Sequence, residues 1–152
     1  MLLRTHLAFT LIFILLFLPF VNFKIVFILV SLISTLFADL DSQFSYLGRL
    51  KIFRFLQFFV KHRTVFHNLF FVLILTSLFV LFYPLLAFSF FLGYCSHLIL
   101  DSFTVKGVRL FYPLKRVYSW KLRTGGKSET MFFVLVLMIN IVLILSNLLS
   151  IL

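Results

Sequence analysis

The sequence predicts an all-α membrane protein, a single domain over residues 1–152 that crosses the bilayer about five times. Of its 152 residues, 63% are hydrophobic, 24 are Phe and only 12% are charged, whereas soluble domains average about 45–50% apolar and about 25% charged residues. A soluble fold of this length could not bury so much apolar surface, so lipid must solvate much of it. The apolar runs lack the alternation of polar and apolar residues that transmembrane strands show, which favours helices.

Five apolar stretches follow one another along the chain, and each is a candidate span. A helix needs about 20 residues to cross the hydrocarbon core, so the first, second and fourth stretches are short and their ends are loosely defined. Pro84 separates the third stretch from the fourth, because proline breaks a helix. The stretches are residues 7–21, 25–38, 65–83, 85–100 and 131–152.

The basic residues give the predicted orientation. Cytoplasmic segments carry an excess of Lys and Arg, and every basic residue except Lys24 precedes the first stretch or lies between the second and third or the fourth and fifth. Five spans with a cytoplasmic N-terminus place all of these residues in the cytoplasm and the C-terminus outside. The net charge of +10 then reflects topology and contact with anionic headgroups, and no nucleic-acid partner is expected.

Two segments allow a second interpretation. The N-terminus could be a signal peptide with Arg4 as its basic region, but its apolar stretch is long and no clear small-residue cleavage site follows it. Residues 49–61 alternate basic and aromatic side chains, which suits an interfacial helix on the headgroups or a solvated basic loop.

The few acids and histidines of the chain concentrate at the same predicted face. There are four of each, and on this topology all eight lie at the cytoplasmic ends of the spans. Ionisable groups near a bilayer are costly and tend to be paired or functional. Scattered interfacial polar residues would explain any one of them but not the shared face. The eight are His6, Asp39, Asp41, His62, His67, His97, Asp101 and Glu129.

Helical spacing ranks the C-terminal members of this set highest. His97 and Asp101 are four residues apart, so they share a helix face and can bind one ion. Gly93 lies one turn earlier on that face and would let a neighbouring helix come close. His62 and His67 are five apart, and one helix cannot aim both at one point. We therefore favour His67 as a ligand and expect His62 to cap the helix or lie behind the ligands.

The donor types narrow the choice of metal. Asp39 and Asp41 are two residues apart, so both can bind only if their helix ends there. The chain has one cysteine, Cys95, which excludes an intramolecular disulfide and a cysteine-based zinc site. Histidine and carboxylate without thiolate favour zinc, with manganese or iron as alternatives. Six or more potential ligands suit more than one ion.

Five short motifs contain these acids and histidines over about residues 4–130. They are Thr5-His6-Leu7-Ala8-Phe9, Ala38-Asp39-Leu40-Asp41-Ser42, His62-Arg63-Thr64-Val65-Phe66-His67-Asn68, Gly93-Tyr94-Cys95-Ser96-His97-Leu98-Ile99-Leu100-Asp101, and Thr124-Gly125-Gly126 with Glu129. None is specific alone, but together, and in this order, they resemble the YdjM-like family of predicted membrane-bound metal-dependent hydrolases, with Thr104, Gly107 and Pro113 at familiar intervals. The sequence departs from the family's pattern at Thr10, Thr64, Phe66 and Asn68, and no expected metal ligand is missing.

This resemblance implies metal-dependent hydrolysis at the membrane. The family is more remotely similar to the zinc-dependent phospholipase C and S1/P1 nuclease group, which implies a phosphoester substrate, lipid or lipid-linked, by analogy. Arg63 would hold the phosphate through its planar fork, and His62, Glu129 and Thr104 would support the ligands or join them. The implied ligands are His6, Asp39, Asp41, His67, His97 and Asp101.

Two other functions remain as hypotheses. A non-enzymatic metal-binding protein or transporter would also use a His/Asp cluster, but the spans carry few polar residues away from the cytoplasmic ends, which argues weakly against a transport path. A membrane adaptor whose basic face docks lipids or nucleic acid would leave the acids and histidines unexplained.

Overall fold

The structure is built from helices that run back and forth between two faces of the protein. This computed structural model describes residues 1–40 and 66–149. Over those two ranges the all-helical prediction is confirmed, with no strand beyond two isolated β-bridges. The helices are α1 (Leu3–Phe17), which a 3-10 helix continues (Leu18–Phe20), α2 (Lys24–Phe37), α3 (Leu69–Phe82), α4 (Pro84–Ser102) and α5 (Lys127–Leu149).

Local sequence sets several of the helix ends. Pro84 is the first residue of α4, where its missing N–H costs nothing because the first helical N–H groups have no intrahelical acceptor. Only Tyr83 separates α3 from α4, so the chain reverses sharply there. Asn68 caps α3, since its side-chain oxygen accepts a hydrogen bond from the Phe70 N–H at 2.9 Å.

The helices differ in their capacity to cross a bilayer. Residues Leu3–Phe20, α4 and α5 are each long and apolar enough to do so. Helices α2 and α3 are apolar but have 14 residues each, about 21 Å at 1.5 Å per residue, which is less than the hydrocarbon core of about 30 Å. The protein is therefore a helical membrane protein, while the count of five spans and their orientation stay predictions.

The helix bounds differ from the predicted stretches mostly at the face that carries the histidines. Helix α1 begins four residues earlier than the apolar stretch and α5 also begins four earlier, whereas α3 begins four later. Polar residues such as Thr5 and Glu129 are helical and buried because they bond to each other. Hydropathy does not mark such ends.

Helix α4 is the centre of the bundle and packs against α1, α2 and α3. Its Gly93 allows the closest approach, as the sequence predicts: a Cβ at this position would overlap the Ser31 carbonyl and the Ser34 hydroxyl of α2. Helix α5 packs against α1, where Asn140 donates a hydrogen bond to the Ala8 carbonyl at 2.8 Å. Its other apolar side chains are largely exposed, as expected for a surface that lipid covers.

Candidate metal centre

The alternating helix directions bring five predicted ligands to one end of the bundle. His6 lies near the start of α1 and Asp39 just beyond the end of α2. His67 immediately precedes α3, while His97 and Asp101 lie in the last turns of α4. All except Asp39 are at least 98% buried. We call these five residues the His/Asp cluster.

Asp101 lies at the middle of the His/Asp cluster, with its two carboxylate oxygens directed to different partners. Oδ1 is 3.4 Å from Nε2 of His6, and the backbone nitrogen of Met1 is 3.1 Å from the same oxygen. Oδ2 is 3.6 Å from Nε2 of His67 and 4.0 Å from Nε2 of His97. The carboxylate therefore spans the space between the imidazoles.

Asp39 forms the open side of the cluster. Its side chain is 27% exposed, and its Oδ1 lies 3.6 Å from Nε2 of His97 and 3.7 Å from Nε2 of His67. Burial alone would raise the pKa of Asp39, but interactions with His67, His97 and His6 together hold it well below its ordinary value. The carboxylate is thus ionised at neutral pH, which is the form that binds a metal.

The donor geometry suits a divalent cation. His6, His97 and Asp101 form one group whose donor atoms lie within 4.8 Å of one another, and Asp39, His67 and His97 form a second. Two ligands of one zinc ion, each at about 2.0–2.2 Å, are separated by about 3.3–3.6 Å in tetrahedral geometry. The separations between the imidazole nitrogens and the carboxylate oxygens in the cluster are 3.4–4.0 Å, in or slightly above that range.

Two of the imidazoles provide a further test of the fit. The rings of His6 and His97 stack with centroids 3.9 Å apart and an interplanar angle of 9°. Their four ring nitrogens are buried, and within residues 1–40 and 66–149 they have no hydrogen-bond partner. Buried polar atoms are nearly always paired, so these nitrogens are suited to a ligand that binds imidazole. The His/Asp cluster could therefore hold a metal ion.

Glu129 and Thr104 lie beside the cluster and outside both groups. Glu129 is buried in the first turn of α5, and its oxygens accept hydrogen bonds from the Leu2 N–H at 2.7 Å, the Thr5 hydroxyl at 2.9 Å and the Gly125 N–H at 2.5 Å. It thereby ties the start of α1 to the start of α5. The Thr104 hydroxyl donates to the Asp101 carbonyl at 2.7 Å, which fixes the chain where α4 ends.

Three predicted residues, Asp41, His62 and Arg63, lie outside the described residues, as does segment 49–61. The prediction that a third helix begins at residue 65 is wrong, because Asn68 caps α3 after His67. The helical spacing that favoured His67 over His62 therefore does not apply to His67. The sequence analysis required the second helix to end near Asp39 if both Asp39 and Asp41 are to bind, and α2 does end at Phe37.

The sequence analysis did not identify a cluster of hydroxyl groups that lies next to the histidines. The Thr10 Oγ1 lies 3.0 Å from Thr35 Oγ1 and 2.7 Å from Ser96 Oγ. We call these three residues the hydroxyl cluster, and they join α1, α2 and α4. The signal was present in the spacing, because each of the three lies one to four residues from a predicted ligand on its own helix: His6, Asp39 or His97.

The comparisons with known proteins identify the family alone. No curated protein and no solved structure matches the chain. The model of the family described as YdjM inner membrane protein matches residues 1–151, a range that includes α5 as well as the shorter region where the motifs were found. The chain therefore belongs to the YdjM inner membrane protein family.

Proposed function

We propose that the protein is a metal-dependent hydrolase that cleaves a phosphoester of a lipid or lipid-linked molecule at the cytoplasmic membrane face. The observation that carries this proposal is the buried His/Asp cluster, in which two groups of donors share His97 and two imidazoles have nitrogens suited to a metal. The donor set favours zinc, with manganese or iron as alternatives.

The cluster suits two ions better than one. One nitrogen of His97 binds a single ion, so the two donor groups cannot both be filled through it. The Asp101 carboxylate resolves this, because Oδ1 faces His6 while Oδ2 faces His67. His6, His97 and Asp101 would hold one ion, while His67 and Asp39 would contribute to holding the second. Asp41 is a further candidate ligand.

In hydrolysis, the oxygen of water bonds to phosphorus, the ester P–O bond breaks and the departing alcohol takes up a proton. Divalent cations supply Lewis-acid chemistry for this reaction, because they polarise a phosphoryl oxygen and lower the pKa of water towards about 7. Arg63 would hold the substrate phosphate through two parallel hydrogen bonds that its guanidinium N–H groups donate. Glu129 and Thr104 would keep α1 and α4 in place around the ligands.

The segment between α4 and α5 supports a lipid substrate. It carries basic residues next to exposed apolar side chains, among them Trp120, Leu114 and Val117, which are 67%, 63% and 46% exposed. Tryptophan and basic residues are enriched where protein meets headgroups. Clustered Lys and Arg attract anionic lipids, so membrane lipids with a phosphate headgroup are the expected partners.

The test is phosphate or headgroup release by purified protein supplied with zinc or manganese, on a broad panel of lipid and soluble phosphoesters. The wild type should be active, while His97→Ala and Asp101→Ala should lose activity. Ser102→Ala is the matched control, since that side chain is half-buried and bonds only to the Ile99 carbonyl among the contacts described. The proposal fails if wild type and both cluster variants behave alike across the panel.

The hydroxyl cluster favours metal transport as a second candidate, because it extends polar groups from the His/Asp cluster into the membrane. Its hydroxyls are, however, closely packed between α2 and α4 near Gly93. Metal uptake into proteoliposomes, lost in His97→Ala, would support transport.

A further inference from the structure

A crevice between α1 and α4 is distinct from the His/Asp cluster in its chemistry. It has a volume of about 210 Å³, and apart from Ser96 the side chains that line it are apolar or weakly polar. Half of the lining residues are phenylalanines. The residues that define it best are Phe13 and Phe17 on α1 and Phe88, Phe91, Cys95 and Ile99 on α4.

One end of the crevice lies level with the His/Asp cluster along the helix axes, and the other end lies farther from it. Ile99 lies two residues before Asp101, and Phe88 lies eleven residues before Ile99 on α4. At 1.5 Å per residue the lining therefore extends about 16 Å along the helix axis. On α1, Phe13 and Phe17 likewise lie two and three turns beyond His6.

Its surroundings indicate what occupies it. The rim residues Phe17, Phe88 and Ile99 are 39%, 43% and 43% exposed, so the crevice opens towards the lipid that covers these helices. Water is a poor occupant of a site with almost no polar groups, and apolar cavities of similar size take up apolar molecules instead. An extended hydrocarbon chain matches both the lining and the elongated shape.

We propose that this crevice binds one hydrocarbon chain of a membrane lipid whose phosphate-bearing headgroup lies at the His/Asp cluster. A chain that enters beside Ile99 and runs towards Phe88 would lie roughly parallel to α4. Its polar end would then lie at the end of the bundle that carries the His/Asp cluster, on the face of α1 that His6 shares with Phe13 and Phe17. Chain binding follows from the crevice itself, whereas its role as a substrate site rests on the proposed function.

Photo-crosslinking tests chain binding without any need for turnover. The probe is a phosphatidic acid with a diazirine in its acyl chain, in phosphatidylcholine vesicles that contain the full-length protein, with adducts mapped by mass spectrometry. Adducts should concentrate on the crevice residues of α1 and α4. Cys95→Phe, or Ile99→Trp at the exposed rim, should reduce them about tenfold or more by filling the space. Ile74→Phe, on the exposed face of α3, should not.

Adducts spread evenly over the lipid-facing surface, or unchanged by both filling variants, would overturn the proposal. Kinetics then separate its two parts. If the protein hydrolyses phosphoesters, Ile99→Trp should lower kcat/KM for the long-chain lipid and leave that for a water-soluble phosphoester unchanged. An equal effect on both substrates would overturn the substrate role. If adducts form in the crevice but the protein has no hydrolytic activity, chain binding is supported and the proposed function is wrong.

Discussion

Two groups of buried polar side chains lie next to each other in this protein, and they differ in how their hydrogen bonds are satisfied. In the hydroxyl cluster, Thr10 bonds to Thr35 and Ser96, and the latter two also donate to backbone carbonyls of α2 and α4. In the His/Asp cluster, the ring nitrogens of His6 and His97 have no hydrogen-bond partner within the described ranges.

This difference in hydrogen bonding suggests that the hydroxyl cluster serves helix packing, whereas the His/Asp cluster serves a ligand. Where lipid replaces water, a polar group without a partner costs several kcal/mol, so polar groups that serve packing are paired within the protein. The hydroxyl cluster follows this rule and holds three helices together. The His/Asp cluster departs from it, and departures of this kind occur where a protein sacrifices stability for a ligand.

The largest predicted effect separates zinc affinity from stability. A change in the His/Asp cluster should lower zinc affinity, whereas a change in the hydroxyl cluster should lower stability. His97→Leu should lower the affinity for zinc by more than about 100-fold, because it removes a proposed ligand and not merely a supporting group. The metal-free variant should melt near the metal-free wild type, because the loss of the 3.6 Å contact between His97 Nε2 and Asp39 is offset when ring nitrogens without a hydrogen-bond partner among the described residues give way to an apolar side chain of similar size. Zinc titration and thermal unfolding in detergent measure the two quantities.

Thr10→Val is the matched variant for the hydroxyl cluster. It keeps the side-chain shape and removes the hydroxyl that joins α1 to α2 and α4, so it should cost about 1 kcal/mol of stability. Zinc content should stay near that of the wild type. If Thr10→Val loses zinc as completely as His97→Leu does, the two clusters act as one unit, and the separate roles assigned to them are wrong.

Gly93→Ala should have the next largest effect and should act on both clusters together. A Cβ there overlaps the Ser31 carbonyl of α2, so α2 and α4 must move apart, at a cost of about 1–3 kcal/mol. Asp39 lies just past α2 and His97 on α4, so zinc affinity should fall as well. Ala87→Gly, also on α4 but away from that contact, should lower helix stability by about 1 kcal/mol and leave zinc affinity unchanged.

The sequence predicted the helical membrane fold because composition alone excludes a soluble chain, and it predicted the shared face because the positions of the histidines and acids alternate with the helices. His97 and Asp101 were paired correctly, because they lie on one continuous helix and the spacing of a helix is fixed. The closeness of α2 to Gly93 was also foreseen.

Other features depend on contacts between segments distant in the sequence. In the sequence, Thr10, Thr35 and Ser96 look like ordinary polar residues within apolar helices. Their contact depends on the relative register of α1, α2 and α4 along their axes. Glu129 was expected to support the ligands or to join them. Its oxygens are occupied by N–H and hydroxyl donors near residues 2 and 125, which no spacing rule predicts.

A substitution at Asn140 should have the smallest effect, because one side chain carries both a hydrogen-bonded atom and a buried atom without a hydrogen-bond partner among the described residues. Its Nδ2 donates to the Ala8 carbonyl at 2.8 Å, while its buried Oδ1 has no partner in the part of the chain that the structure describes. Asn140→Leu loses a hydrogen bond worth about 0.6 kcal/mol between membrane helices but also removes an unpaired oxygen. The two effects oppose each other, so the midpoint of thermal unfolding should change little and zinc affinity not at all. A loss of zinc in this variant would instead mean that the contact between α5 and α1 supports His6.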